Sequence, residues 1–362
     1  MGSPAVAAMT PPLLRTSERK DFRRCPWLWE KSWIQGLRPR REPTWAIFGS
    51  AWHKAMETRY PPGRRRGSLN DTIDTFLDEI DGQMRKIGVD LEDLYDDEED
   101  SGFAEGATKA DVELLQADEL GELMLRGYVN QWGKDSEWEV IHTEQPFQID
   151  VPDPVIVGKV LVVYAGTWDA LMWHRPTGTY WLWDHKTAKS FPNTQFLDLD
   201  DQAGSYLWVA KEVLVHKGIL KRSDVIEGIY FNYAKKAPPD TRPRNAEGKA
   251  LNKDGSVSKR QPAPRFMRPK TYRSPEQQVS QARRVQQEAE LMAKMRAGEL
   301  PIIKNTSHDC PRCPLFDLCV LHEQQADGWE DYQDAFYVVK DVYADHREAM
   351  THNGYVVTGG TL

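Results

Sequence analysis

Residues 165–190 read AGTWDALMW, HRPTGT and YWLWDHKTAKS in succession. Two runs rich in aromatic and apolar residues flank a Pro-Thr-Gly turn, which predicts a β-hairpin. Folded about Pro176 and Thr177, that hairpin sets Asp169 directly across from Asp184. Side chains alternate along a strand, so Asp184 and Lys186 share a face. Two opposed carboxylates repel each other, and a divalent cation between them removes the cost. A lysine beside them is suited to orienting or helping to deprotonate a metal-bound water and to stabilising charge on a phosphate. An isolated D-x-K recurs by chance in many chains, so its meaning rests on the residues around it.

The rest of the chain reads as an α/β (α+β) protein with a helical insertion. Short helical spacing begins at Cys25 in CPWLWEKSWIQG and resumes over 45–60. Further helices are expected near 69–87 and 108–132, with a polar break at 96–107. Segments 137–149, 156–173 and 179–187 have strand composition, 199–217 returns to helical spacing, and 224–235 reads as another strand. A Pro/Gly/Lys-rich loop or ragged hairpin over 236–271 precedes a helix from Pro275 to Ala297. These boundaries suggest an N-terminal segment 1–44, a helical region 45–135 with an acidic insertion, a core 136–300 carrying the basic loop, a cysteine segment 301–325 and a tail 326–362.

Charge is unevenly spread. The formal net charge is −8, yet residues 67–122 hold 19 acidic against 3 basic residues, while 235–273 hold 12 basic against 3 acidic. The basic strip is available for phosphates or is a solvated surface insertion. No apolar run approaches the roughly 18 residues needed to span a bilayer, and the start MGSPAVAAMT lacks the basic flank of a secretory signal. A bacterial, archaeal or phage-infected host cytoplasm is the expected setting. There, Cys25, Cys310, Cys313 and Cys319, the only cysteines, are better metal ligands than disulfide partners.

Taken in order, GSAWH (His53), GTWD (Asp169), DHK (Asp184, Lys186), QAGSY (Gln202, Tyr206) and a C-x2-C-x5-C triplet joined by one distant upstream cysteine resemble the RecB-like branch of the PD-(D/E)xK nucleases. The resemblance is closest to its iron–sulfur members, the AddB nuclease domain and the CRISPR-associated iron–sulfur exonucleases, and spans residues 25–319. It implies a restriction-endonuclease-like core, a central mixed sheet flanked by helices, and an iron–sulfur cap joining the N- and C-terminal regions. Mg²⁺ or Mn²⁺ would be held by His53, Asp169, Asp184 and the His185 carbonyl, with Glu144 as a further acidic position. Gln202 and Tyr206 would position the lysine or the nucleic acid. A [4Fe–4S] cluster on the four cysteines is the implied cofactor, with zinc the alternative.

The activity implied is a metal-dependent DNA exonuclease acting on single-stranded or free DNA ends, in recombination, repair or CRISPR adaptation. The rival is a non-catalytic DNA-end-binding or adaptor subunit of such a complex. A motor protein is excluded for this chain, which has no G-x-x-x-x-G-K-[ST] loop. Taken singly, His53 suits a core histidine, Glu57 suits a residue that only orients the His53 ring or stabilises its helix, and the tryptophans at 27, 29, 33, 181 and 183 suit the core. Trp168 or Tyr164 is a candidate for stacking on a base.

Overall fold

The computed structural model describes residues 11–86, 109–344 and 347. The polar break expected at 96–107 lies outside these residues.

The predicted hairpin forms from β4 (Val160–His174) and β5 (Thr179–Ala188), with Ala170 paired to Trp183 and His174 to Thr179. Gly178 closes the turn at φ +65°, a conformation that glycine adopts without steric cost. β3 (Trp138–Pro152) runs antiparallel along one edge of β4, and β6 (Ile226–Lys235) runs parallel to β5. β1 (Leu13–Arg15) pairs in parallel with β4 at 163–165, so the N-terminal segment supplies a strand to the sheet. Short strands β7 (Phe266–Met267) and β8 (Lys270–Thr271), from the end of the basic loop, pair with β6. The result is a seven-stranded mixed sheet among the described residues.

Each face of the sheet buries its own core. On one side lie α1 (Thr16–Arg24), α6 (Asp201–His216) and α7 (Pro275–Arg296), packed over residues such as Phe147, Trp168, Leu171 and Leu182. On the other lie α3 (Thr44–Arg59), α4 (Leu69–Lys86) and α5 (Lys109–Trp132), over Val140, Ala170, Met172 and Trp183. Local chemistry explains the helix starts. Asp200 caps α6 by accepting from the Ala203 N–H, and Ser274 and Gln277 form a capping box on α7 with Pro275 in its first turn. The three helices of the first face are tied by Arg19, whose fully buried guanidinium meets Asp201 at 3.0 Å and Glu288 at 2.7 Å.

A third, smaller core joins residues 27–37 to residues 315–337. α2 (Pro26–Trp29) and a π-helical turn, Glu30–Ile34, lead into β2 (Leu37–Pro39), which pairs antiparallel with β9 (Tyr337–Val339) after α8 (Phe316–Glu323) and α9 (Trp329–Phe336). Trp27 and Leu28 pack there against Leu315, Leu318 and Tyr337. Trp27, Trp29, Trp33, Trp181 and Trp183 are all buried, as their composition suggested. Trp168 and Tyr164 are also fully buried, so neither reaches a base. Trp168 stacks on Phe147, and the Tyr164 hydroxyl lies 2.6 Å from the Thr16 hydroxyl. Strands covered on both faces bury their aromatics whichever way these point. No helix among the described residues is long and apolar enough to cross a membrane.

Candidate metal centre and active site

The site lies where the edge of β4 is open. Along one edge, β4 pairs with β1 at 163–165 and with β5 from Ala170 onward, which leaves 166–169 without a strand partner on that side. Main-chain polar groups in such a gap need other partners. The Thr167 carbonyl accepts from the Tyr206 hydroxyl at 2.8 Å, and the His185 N–H donates to Asp169 Oδ2 at 2.5 Å. A carboxylate thus replaces a ladder bond.

The pleat also reverses here. Trp168 belongs to the α6-side core and Ala170, two residues on, to the α3-side core, although residues two apart normally share a face. On β3, Thr143 pairs with Ala170 and Gln145 with Trp168, which places Glu144 across from Asp169. Glu144 has φ +44°, in the left-handed region that non-glycine residues seldom occupy. From α3, the His53 Nδ1 lies 3.3 Å from Asp169 Oδ2. Ligand atoms of His53, Glu144 and Asp169 all fall within 4.8 Å of one another, and they are the only such group of three among the described residues.

Asp184 and Lys186 lie on the neighbouring strand. Lys186 Nζ is 2.8 Å from Asp184 Oδ2 and donates to Gln202 Oε1 at 2.9 Å. The Gln202 amide donates in turn to Asp184 Oδ1 at 3.1 Å and to the Tyr206 hydroxyl at 2.9 Å. The i, i+4 pair on α6 therefore holds both Asp184 and its lysine. A cavity of about 500 Å³ opens beside Lys186, Gln202 and Tyr206 and is rimmed by Lys20 and Arg23. Glu57, one turn after His53, instead pairs with Lys54 at 3.1 Å.

Burial would lower the pKa of His53, but the charge and hydrogen bond of Asp169, with help from Asp184, raise it to about 9. Asp169 is held well below the usual carboxylate range: burial acts to raise it, and the charge and hydrogen bond of His53 prevail. Asp184 is pushed up by burial and by the Asp169 charge, against the pull of Lys186. Burial, Asp169 and Glu57 bring Glu144 up to about 7. Acidic groups crowded in this way, together with one imidazole nitrogen, form a donor set that suits Mg²⁺ or Mn²⁺.

The His185 side chain points to the opposite face. Burial holds it neutral, with its pKa lowered to about 3, and its Nδ1 accepts from the Asn232 amide at 2.8 Å. Asn232 Oδ1 accepts from Arg268, whose guanidinium pairs with Asp135 at 2.7 Å and reaches the Tyr60 and Tyr128 hydroxyls at 3.0 and 2.7 Å. Arg268 comes from the basic strip, yet only 8% of its side chain is exposed. Sequence reasoning missed this network, because nothing distinguishes Arg268 from the basic residues around it.

Of the four cysteines, Cys25 lies at the α1–α2 junction, Cys310 opens a 3-10 turn that Cys313 caps, and Cys319 lies in α8. Cys25, Cys313 and Cys319 touch that core. No three of the sulfurs lie within 4.8 Å of one another. Backbone N–H groups approach two of them, Asn305 N at 3.4 Å from Cys25 Sγ and Ser307 N at 3.2 Å from Cys310 Sγ.

The profile of the PD-(D/E)XK nuclease superfamily matches residues 16–320, and the chain belongs to that superfamily. No curated protein matches the chain at a significant level. Among solved structures, it is similar to a candidate exonuclease from Eubacterium rectale, at 12% identity over 86% of this chain and 93% of the other, with a TM-score of 0.37. It is also similar to the protein SSO0001, at 13% identity over 56% and 75%, with a TM-score of 0.27. Likeness at these scores adds nothing to the argument.

Proposed function

We propose that the protein is a metal-dependent DNA exonuclease that hydrolyses phosphodiester bonds at single-stranded ends. The observation that carries this reading is the convergence of His53, Glu144 and Asp169 beside the Asp184–Lys186 pair at the open edge of β4. His53, Glu144 and Asp169 would hold Mg²⁺ or Mn²⁺, with Asp184 and the His185 carbonyl as the remaining candidates. When bound, the cation supplies charge neutralisation and water activation. Lys186, kept protonated by Asp184 and Asp169 against the pull of burial, faces the cavity where it can orient a water and meet phosphate charge. Gln202 fixes that lysine, and Tyr206 fixes Gln202.

A [4Fe–4S] cluster on Cys25, Cys310, Cys313 and Cys319 is part of the same proposal. Its support is the apolar corner shared by Cys25, Cys313 and Cys319 and the N–H donors directed at the Cys25 and Cys310 sulfurs, a feature that tunes cluster thiolates. The test is purified protein with Mn²⁺ and end-labelled DNA. If Asp184→Ala and Lys186→Ala digest the DNA as fast as wild type, the assignment is wrong.

A further inference from the structure

Trp45, Gly49 and His53 follow one another at four-residue intervals on α3, and so lie along one side of the helix. His53 reaches the metal-ligand group and keeps 36% of its side chain exposed. Trp45, about 12 Å away by helical rise, is 65% exposed, unlike most of the chain's tryptophans. Between them Gly49 leaves open space: a Cβ built there meets nothing within 4 Å, so packing does not demand a glycine. In the middle of a helix glycine is unfavourable compared with alanine. Its benefit must lie in the space it keeps clear.

At the Trp45 end a cavity of about 630 Å³ is floored by Phe48 and Leu120. Arg41, Lys189 and Lys236 line it together with Glu42 and Glu113. Lys236 lies 4.7 Å over the Phe48 ring and donates to the Trp45 carbonyl. Lys189 follows Lys186 by three residues, just past the end of β5, the strand that carries the Asp184–Lys186 pair. An exposed indole beside apolar Phe48 and Leu120, with Arg41, Lys189 and Lys236 around the same cavity, matches an unpaired nucleobase with its flanking phosphates. A duplex hides its base faces and does not fit.

We propose that this side of α3 is the track for single-stranded nucleic acid, which runs from the metal-ligand group over Gly49 and stacks a base on Trp45 between Lys189 and Lys236. This rests on the nuclease reading and assigns the surface that holds the strand leading to its site. The span of about 12 Å corresponds to roughly three stacked nucleotides at about 3.4 Å each. Trp45 is a binding residue and takes no part in the chemistry.

The test is binding of a fluorescent single-stranded 15-mer in EDTA, followed by anisotropy. Trp45→Ala should weaken binding by roughly 5- to 100-fold, and Trp45→Phe by much less. A base-free strand of the same length should bind wild type and Trp45→Ala alike. Gly49→Gln should weaken binding without lowering the melting temperature. The proposal is overturned if Trp45→Ala binds the 15-mer within twofold of wild type, or if the loss is the same for the base-free strand or for blunt duplex. Mn²⁺-dependent hydrolysis of thymidine 5′-(p-nitrophenyl phosphate), too short to reach Trp45, reports on the active site separately. It should be unchanged in Trp45→Ala, and its absence in wild type would count against the nuclease reading while leaving the binding comparison to decide the role of Trp45.

Discussion

Glu144 faces Asp169 across the β3–β4 pair, at the point where both strands reverse their pleat, and does so with a left-handed backbone at φ +44°. Such a conformation costs on the order of 1 kcal/mol or more in a residue with a Cβ. If the carboxylate is retained there to hold a cation, Glu144→Gly should melt at the same temperature as wild type or higher. Its Mn²⁺ affinity by calorimetry should fall at least about tenfold. A variant that melts lower and binds Mn²⁺ as wild type does would remove Glu144 from the ligand set.

Lys186 and Glu57 separate chemistry from surface. Lys186→Ala should reduce turnover by roughly 10²- to 10⁴-fold in a gel assay with Mn²⁺. Glu57→Ala should stay within about twofold, since an exposed pair such as Glu57 with Lys54 contributes little. Equal losses at the two positions would contradict the geometry.

Two carboxylates outside the site give opposite pH signatures. Burial pushes Asp201 upward, but the Arg23 hydrogen bond and the charges of Arg19 and Arg23 hold it at about 2. Its contribution to stability is therefore present above the unfolded value of about 3.9 and is lost as pH falls toward 2. Asp118 is pushed up to about 7 by burial and by Asp81, and its Oδ1 has no hydrogen-bond partner among the described residues. Its ionisation opposes folding, so stability declines as pH rises from about 4 through 7. Asp118→Asn should raise the melting temperature at pH 8 by a few degrees and change it little at pH 4. Asp201→Asn should lower it at pH 7 and leave it nearly unchanged at pH 2.

Arg268 is bound on all sides by Asp135, Asn232, Tyr60 and Tyr128, and removing one partner of a buried pair costs about 3–5 kcal/mol. Arg268→Ala should lose about that much in a denaturant titration. Lys253→Ala, an exposed member of the same basic strip, should lose under about 0.5 kcal/mol.

For the cysteine corner, protein purified without oxygen should be brown and carry iron. Cys25→Ala should lose the colour and melt earlier. Colourless wild-type protein with bound zinc would refute the cluster.

Much of this arrangement was legible in the sequence. The hairpin register followed from turn chemistry and strand alternation, because a turn built on Pro176 and Gly178 leaves little freedom. Spacing on α6 placed Gln202 and Tyr206 on one face. What could not be read depended on tertiary context. The left-handed Glu144 and the pleat reversal are backbone events without a local signature. The inward turn of Arg268 is decided by Asp135, which lies 133 residues away. Trp168 and Trp45 look alike as letters, and only the packing around them buries one and exposes the other.

The pairing of β2 with β9 bears on how the chain is made. Its partners are about 300 residues apart, which at about 5–20 residues per second is roughly 15–60 s of synthesis. Throughout that interval Trp27, Leu28 and Leu37 have no Leu315, Leu318 or Tyr337 to cover them. The segment from Trp27 to Leu37 is therefore uncovered until α8, α9 and β9 have left the ribosome, and a chaperone that binds early should recognise it.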